Sequence, residues 1–292
     1  MSGLNRHPAK VLLVVIRAVG SNPTLTAKYW GHRVRLTGSP PQFKRNKMKI
    51  GLFGDSYIDV IWHRHPEHQA PQEKKVWSGL LLEDLGAEVI TSGLGGSNQY
   101  YAINEWKTAQ QQGIVFDYAF FTFTWDNRLY MEDAKWQKML SAHAERRELY
   151  EQDKPLFTDD EVANGVQALE LYYRYLHNNK QAAFNFELMV KWCLDLPTQF
   201  PDTKFIFLPN TELSRGIALD YFKQGVLVDF AFETLSNREP GSPGPMPINC
   251  GRYGHLTSTS HNRFKEFAKD IVVNYDDYKN KILPFDYSKY SE

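Results

Sequence analysis

Nine consecutive residues, Phe116-Asp117-Tyr118-Ala119-Phe120-Phe121-Thr122-Phe123-Thr124, constrain this chain more than any other stretch. A half-buried strand alternates apolar and polar side chains, but here aromatics fall on both parities, so both faces of the strand must be covered. Strands of that kind belong to parallel sheets with helices above and below. The sequence on either side agrees. Ile50 to Phe53 is a short apolar strand, and Glu73 to Leu85 places Val76, Trp77, Leu80 and Leu81 at helical spacing before stopping at Gly86. Glu88-Val89-Ile90 reads as a strand and Ala102 to Gln112 as a helix. Lys204 to Pro209 and Val226 to Phe232 supply two more strands, and Asn262 to Val273 a closing helix.

The expected fold class is therefore α/β, a flavodoxin-like three-layer sandwich with a roughly five-stranded parallel sheet. Between the third and fourth strands the chain is mostly helical from about 133 to 196. It breaks near Pro155 and restarts at Thr158, where Glu161 three residues later completes a capping-box pattern. That stretch reads as a helical insertion in a domain covering 48–292. Residues 1–47 read as a leader outside the fold, because Arg17 cuts short the apolar run Val11 to Ile16 and no period is sustained after it. Within it, Arg17 to Ala27 resembles the peptide produced when the end of a transfer-RNA gene is read as protein, which points to Met48 as the first residue of the domain.

Charge narrows the function. The 34 Lys and Arg balance 34 Asp and Glu, so the chain lacks the basic footprint that nucleic acid or an anionic membrane surface requires. No run of about 18 apolar residues is present to span a membrane. Two cysteines, Cys193 and Cys250, are too few for a disulfide scaffold, and with no convincing secretion signal the expected location is the cytoplasm.

The first strand ends in Gly54-Asp55-Ser56, at the kind of tight strand-to-helix turn that presents a nucleophile at the carboxyl edge of a parallel sheet. Gly, Asp and Ser also make ordinary turns, so the other blocks carry the weight. The second strand runs into Ser92-Gly93-Leu94-Gly95-Gly96-Ser97, and the closing helix follows Gly254-His255-Leu256-Thr257-Ser258. In this order the blocks resemble those of the SGNH, or GDSL-type, hydrolases, over residues 48–127 and 204–273. The resemblance implies an esterase without cofactor or metal, in which Ser56 is the nucleophile, His255 its base, and the N–H groups of Ser56 and Gly96 part of the oxyanion hole.

Two blocks depart from the family pattern. Its third block is Gly-x-Asn-Asp, whose Asn amide donates to the oxyanion, but here the strand ends Thr124-Trp125-Asp126-Asn127. A carboxylate from Asp126 would repel the developing charge, so Asn127 is the better donor. The family also has an Asp three residues before the His, where this chain has Arg252, which cannot accept the imidazole N–H. Asn249, a backbone carbonyl or Asp229 remain as orienting partners of His255. An inactive, glycan-binding relative is the alternative from another class.

The substrate expected is a small-molecule or glycan ester, with an O-acetylated carbohydrate first. Tyr57, Trp125 and His63 stand as rim residues near the serine, within a Trp- and Tyr-rich region whose rings serve equally as core. His63, His65 and His68 match no compact ligand spacing and are read as rim contacts rather than a metal site.

Overall fold

The computed structural model describes residues 47–58, 60, 76–94, 97–124, 156–232 and 258–286, all within one compact unit, Asn46–Glu292. In chain order the elements are β1 (Lys49–Phe53), α1 (Trp77–Leu85), β2 (Glu88–Thr91), α2 (Gln99–Gln111), β3 (Tyr118–Phe123) and α3 (Asp159–Leu171). A π-helical turn at Tyr172–Leu176 extends α3. Then come α4 (Asn179–Leu194), α5 (Leu196–Gln199), β4 (Lys204–Pro209), α6 (Glu212–Tyr221), β5 (Val226–Asp229), α7 (Ser258–Val273), α8 (Tyr275–Tyr278) and β6 (Lys281–Pro284). Residues 1–46 of the 1–47 leader lie outside the described residues.

The sheet has six strands in the order β2-β1-β3-β4-β5-β6, every neighbouring pair parallel. This is the three-layer α/β fold expected, with one strand more. The aromatic run is indeed the centre: all of β3 is buried, between β1 and β4. Its even residues Tyr118 and Phe120 join Ile50, Leu52, Ile206 and Val228 on one face, covered by Trp77 and Leu81 of α1 and by Phe264, Phe267 and Ile271 of α7. Its odd residues Ala119, Phe121 and Phe123 join Phe53, Phe205 and Phe207 on the other, covered by Trp106 of α2 and by Phe186 and Val190 of α4. Trp106 meets the rings of Phe53 at 5.3 Å, Phe116 at 5.5 Å and Phe205 at 5.3 Å. Such pairs contribute about 0.5–1.5 kcal/mol each beyond the area they bury.

The stretch read as an insertion therefore ends in a layer of the sandwich, because α4 is the crossover helix that a parallel β3 to β4 connection requires. Its restart is as read: Thr158 Oγ1 accepts the Glu161 N–H at 3.2 Å and Glu161 Oε2 accepts the Thr158 N–H at 2.9 Å.

Connectivity fixes where a site can form. The chain passes from β1 outward to β2, then back across β1 to β3. The connection after β1 leads to α1 on one face, while that after β3 leads to α4 on the other. That reversal between β1 and β3 is a topological switch point, the place at the carboxyl edge at which open parallel sheets bind ligands.

Candidate active site

Gly54, Asp55 and Ser56 lie at that switch point. Ile58 N–H donates to the Asp55 carbonyl at 3.1 Å and closes a turn, while the Tyr57 N–H donates to Asp55 Oδ1 at 3.1 Å. Asp55 thus caps its own turn, as Asp does when its side chain bonds the backbone two residues on. Ser56 occupies the second position of the turn and is 5% exposed. Gly54 has φ +155°, and a Cβ there would lie 1.7 Å from Thr122 Oγ1, so neither the backbone nor the neighbour admits another residue.

The glycine-rich loop is laced to this turn. Leu94 N–H and Ser97 Oγ–H both donate to the Gly54 carbonyl at 3.0 Å. A Cβ on Gly93 would lie 2.5 Å from the Asp55 carbonyl oxygen, so glycine is what lets the two loops touch. Gly95 and Gly96 lie outside the described residues, but Leu94 and Ser97 on either side both bond Gly54. Helix α2 begins immediately after, with Asn98 Oδ1 accepting the Tyr101 N–H at 3.1 Å. Its N-terminus, the positive end of the helix dipole, sits at the carboxyl edge of the sheet.

A third group comes from β4. Asn210, fully buried just past Pro209, donates Nδ2–H to Asp55 Oδ1 at 2.9 Å across the end of β3. Thr124, where β3 ends, donates its N–H to Gln99 Oε1 at 3.1 Å. Asn210 Oδ1, Thr122 Oγ1 and Thr124 Oγ1 are buried with no hydrogen-bond partner among the described residues. The sequence reading passed over Asn210. Its one signal was an amide directly after an apolar strand, which also reads as a plain turn.

Asp229 closes β5 on the same edge. Its Oδ1 accepts from Arg215 Nε at 2.7 Å, while Arg215 also pairs with Glu212 at 3.0 Å. These two carboxylates, Asp229 foremost, hold the guanidinium pKa above its ordinary value. Tyr57 lies in the core: it is 7% exposed and stacks on Phe232 at 5.0 Å. Its ring is one of the core aromatics rather than a rim residue.

Trp77 ties the closing helix to the serine turn. Its Nε1–H donates to the Tyr57 carbonyl at 2.7 Å, and its backbone N–H donates to His261 Nδ1, on the first turn of α7, at 3.2 Å. An accepting Nδ1 fixes the proton of a neutral His261 on Nε2. Phe232 and Phe264 meet at 4.9 Å over Trp77. Phe232 and His261, which flank in sequence the segment holding Asn249, Arg252 and His255, thus both connect to Tyr57, the first directly and the second through Trp77.

Gly96, Trp125, Asn127, Asn249, His255 and His63 lie outside the described residues. Among the described residues no cluster of three His, Cys, Asp or Glu side chains suits a metal ion, and no helix is long and apolar enough to cross a membrane. Burial pushes the Cys193 thiol far up, so it is a packing residue rather than a nucleophile. Burial likewise raises the Glu105 carboxyl, against an opposing hydrogen bond from Thr91 at 3.4 Å. Comparison with family models, with curated proteins and with solved structures finds no match.

Proposed function

We propose that this chain is a serine hydrolase of the SGNH type that cleaves a small acyl ester through an acyl-enzyme on Ser56. The observation that carries the reading is that Phe232 and His261, which flank the His255 segment in sequence, both tie to the serine turn, Phe232 by stacking on Tyr57 and His261 through Trp77. His255 is three residues before Ser258, at most about 11 Å of chain from the start of α7. The laced glycine loop and the Ser56 turn further support the resemblance stated above.

In this reading His255 takes the Ser56 Oγ proton as the oxygen bonds to the ester carbonyl carbon. The N–H groups of Ser56 and Gly96 and the Asn127 amide receive the negative charge. Collapse expels the alcohol, which takes the proton from the imidazolium. Water, activated by the same histidine, then releases the acid. Asp229, with one carboxylate oxygen on Arg215, or Asn249 orients the ring. A neutral chain and the aromatics beyond β3 suit an O-acetylated carbohydrate in the cytoplasm, with neither cofactor nor metal in the chemistry.

A fluorophosphonate probe tests this. It should label the protein once, at Ser56, and more slowly at acid pH, where an imidazole base is protonated. Labelling that survives Ser56→Ala refutes the nucleophile. Absence of labelling and of ester hydrolysis in wild type favours the second reading, a glycan-binding module, which Arg252 in place of the family Asp supports.

A further inference from the structure

We infer that Asn210 is a positioning residue for the nucleophile, acting on Ser56 through the Asp55 carboxylate; the inference rests on the assignment of Ser56 above. Asp55 is fully buried and adjoins Ser56, so its carboxylate orientation sets the turn. One hold on that carboxylate is local, the Tyr57 N–H. A second comes from two strands away, the Asn210 amide. Asn210 is itself pinned, because its N–H donates to the Phe123 carbonyl at 3.0 Å and so continues the β3–β4 ladder past Pro209. The serine turn is therefore referenced to the two central strands and not only to its own loop.

The state of the amide supports a dedicated role. Nδ2 faces a carboxylate, while Oδ1 is buried without a partner among the described residues. Turning the amide over would set its oxygen against the Asp55 oxygen, so the electrostatics fix the orientation. A side chain retained only for packing would not leave a buried acceptor unpaired, since that costs more than an apolar residue of the same shape. Being fully buried, Asn210 is a residue that acts by placing Ser56 and not by touching substrate.

Displacement of a reacting atom by about 1 Å costs on the order of 100-fold in rate. Asn210→Ala is therefore expected to slow fluorophosphonate labelling of Ser56, and kcat on p-nitrophenyl acetate, by about 10- to 100-fold, with KM unchanged within about twofold. Because the effect runs through Asp55, Asp55→Ala/Asn210→Ala should be no slower than Asp55→Ala alone. Amide hydrogen exchange at Tyr57, whose N–H bonds Asp55 Oδ1, reads the same displacement without chemistry and should quicken at least tenfold, roughly 1.4 kcal/mol of local opening. Should Asn210→Ala fail to fold, Asn210→Ser, too short to reach Asp55, takes its place. Labelling at the wild-type rate, a rise in KM alone, additive losses in the double variant, or unchanged Tyr57 exchange would each overturn the inference. Wild type that never labels sinks the hydrolase reading instead, and Tyr57 exchange in Asn210→Ala still decides whether Asn210 holds the turn.

Discussion

Replacing Gly54 by alanine should be among the most damaging single changes in this fold, and the structure separates the cost into two parts. The first is backbone strain: φ of +155° suits glycine, and forcing an L-residue into such a region costs about 1–3 kcal/mol. The second is collision, since the added Cβ would sit 1.7 Å from Thr122 Oγ1, 3.0 Å from Thr122 Cβ and 3.3 Å from Ile58 Cγ2. Overpacking of that kind costs a further 1–3 kcal/mol or so. The sum, about 2–6 kcal/mol, is a large share of the 5–15 kcal/mol that typically holds a domain together. Removing Thr122 Oγ1, the atom struck hardest, should return most of the second part, while the Cβ contact at 3.0 Å remains. Thr122→Ala alone is expected to stay within about 1 kcal/mol of wild type, because the lost methyl is offset by removing a buried hydroxyl unpaired among the described residues. Gly54→Ala/Thr122→Ala should then recover about 1–3 kcal/mol relative to Gly54→Ala, a coupling readable from urea unfolding followed by tryptophan fluorescence at constant m-value. Costs that simply add would refute the clash, and a Gly54→Ala variant within about 0.5 kcal/mol of wild type would refute both the clash and the strain.

His261→Leu orphans the Trp77 N–H and should cost about 1–3 kcal/mol. Urea unfolding followed by tryptophan fluorescence should read that loss, and a variant as stable as wild type would count against the bond. Asp84 accepts from Lys269 at 3.0 Å and Lys265 at 3.1 Å, and these bonds, Lys269 first, hold its carboxyl below the ordinary value. Its stabilisation is therefore present above about pH 4 and lost as pH falls through the depressed value, so Asp84→Asn should cost under about 1 kcal/mol at pH 7 and nothing in strong acid or about 1 M salt. Arg252→Asp, which restores the family acid, should raise turnover of p-nitrophenyl acetate about tenfold or more. Flat turnover, with Ser56→Ala inactive, would move the orienting role to Asp229, testable as Asp229→Asn.

Elements with an internal signal were legible in the sequence. The Phe116 to Thr124 run revealed the central strand because burial on both faces leaves no polar parity, and Thr158 with Glu161 revealed a helix start because a capping box is local chemistry. What depended on distant partners was hidden. Lys281-Ile282-Leu283-Pro284 has too little apolar length to declare itself, and becomes β6 only because β5 offers a ladder, with Pro tolerated at a sheet edge. The layer formed by α4 was hidden by the length of the stretch before it, although Phe186, Val190 and Cys193 recur at helical spacing. Tyr57 was misjudged because strand alternation ends at the turn, so nothing local states which way its ring faces; Phe232, far along the chain, decides it. Asn210 failed for the same reason, since its partner is 155 residues away.

Among the described residues the two edges of the sheet handle buried polar groups in opposite ways, and the contrast supports the proposed use of the carboxyl edge. At the amino edge polar tips are paired with backbone. Thr203 Oγ1 donates to the Phe116 carbonyl at 3.1 Å, Tyr118 Oη to the Val272 carbonyl at 2.8 Å, and Tyr275 Oη accepts the Phe205 N–H at 3.0 Å. Each bond seals a strand or helix end, as groups selected for stability do. At the carboxyl edge the hydroxyls of Thr122 and Thr124 and the amide oxygen of Asn210 are buried without partners among the described residues, at a cost of about 1–3 kcal/mol each. Valine at either threonine would keep the shape and remove that cost. Local rules broken together, at the switch point of a parallel sheet and around a serine held in a glycine-dependent turn, are what the proposed hydrolase would show, because functional sites give up stability for chemistry.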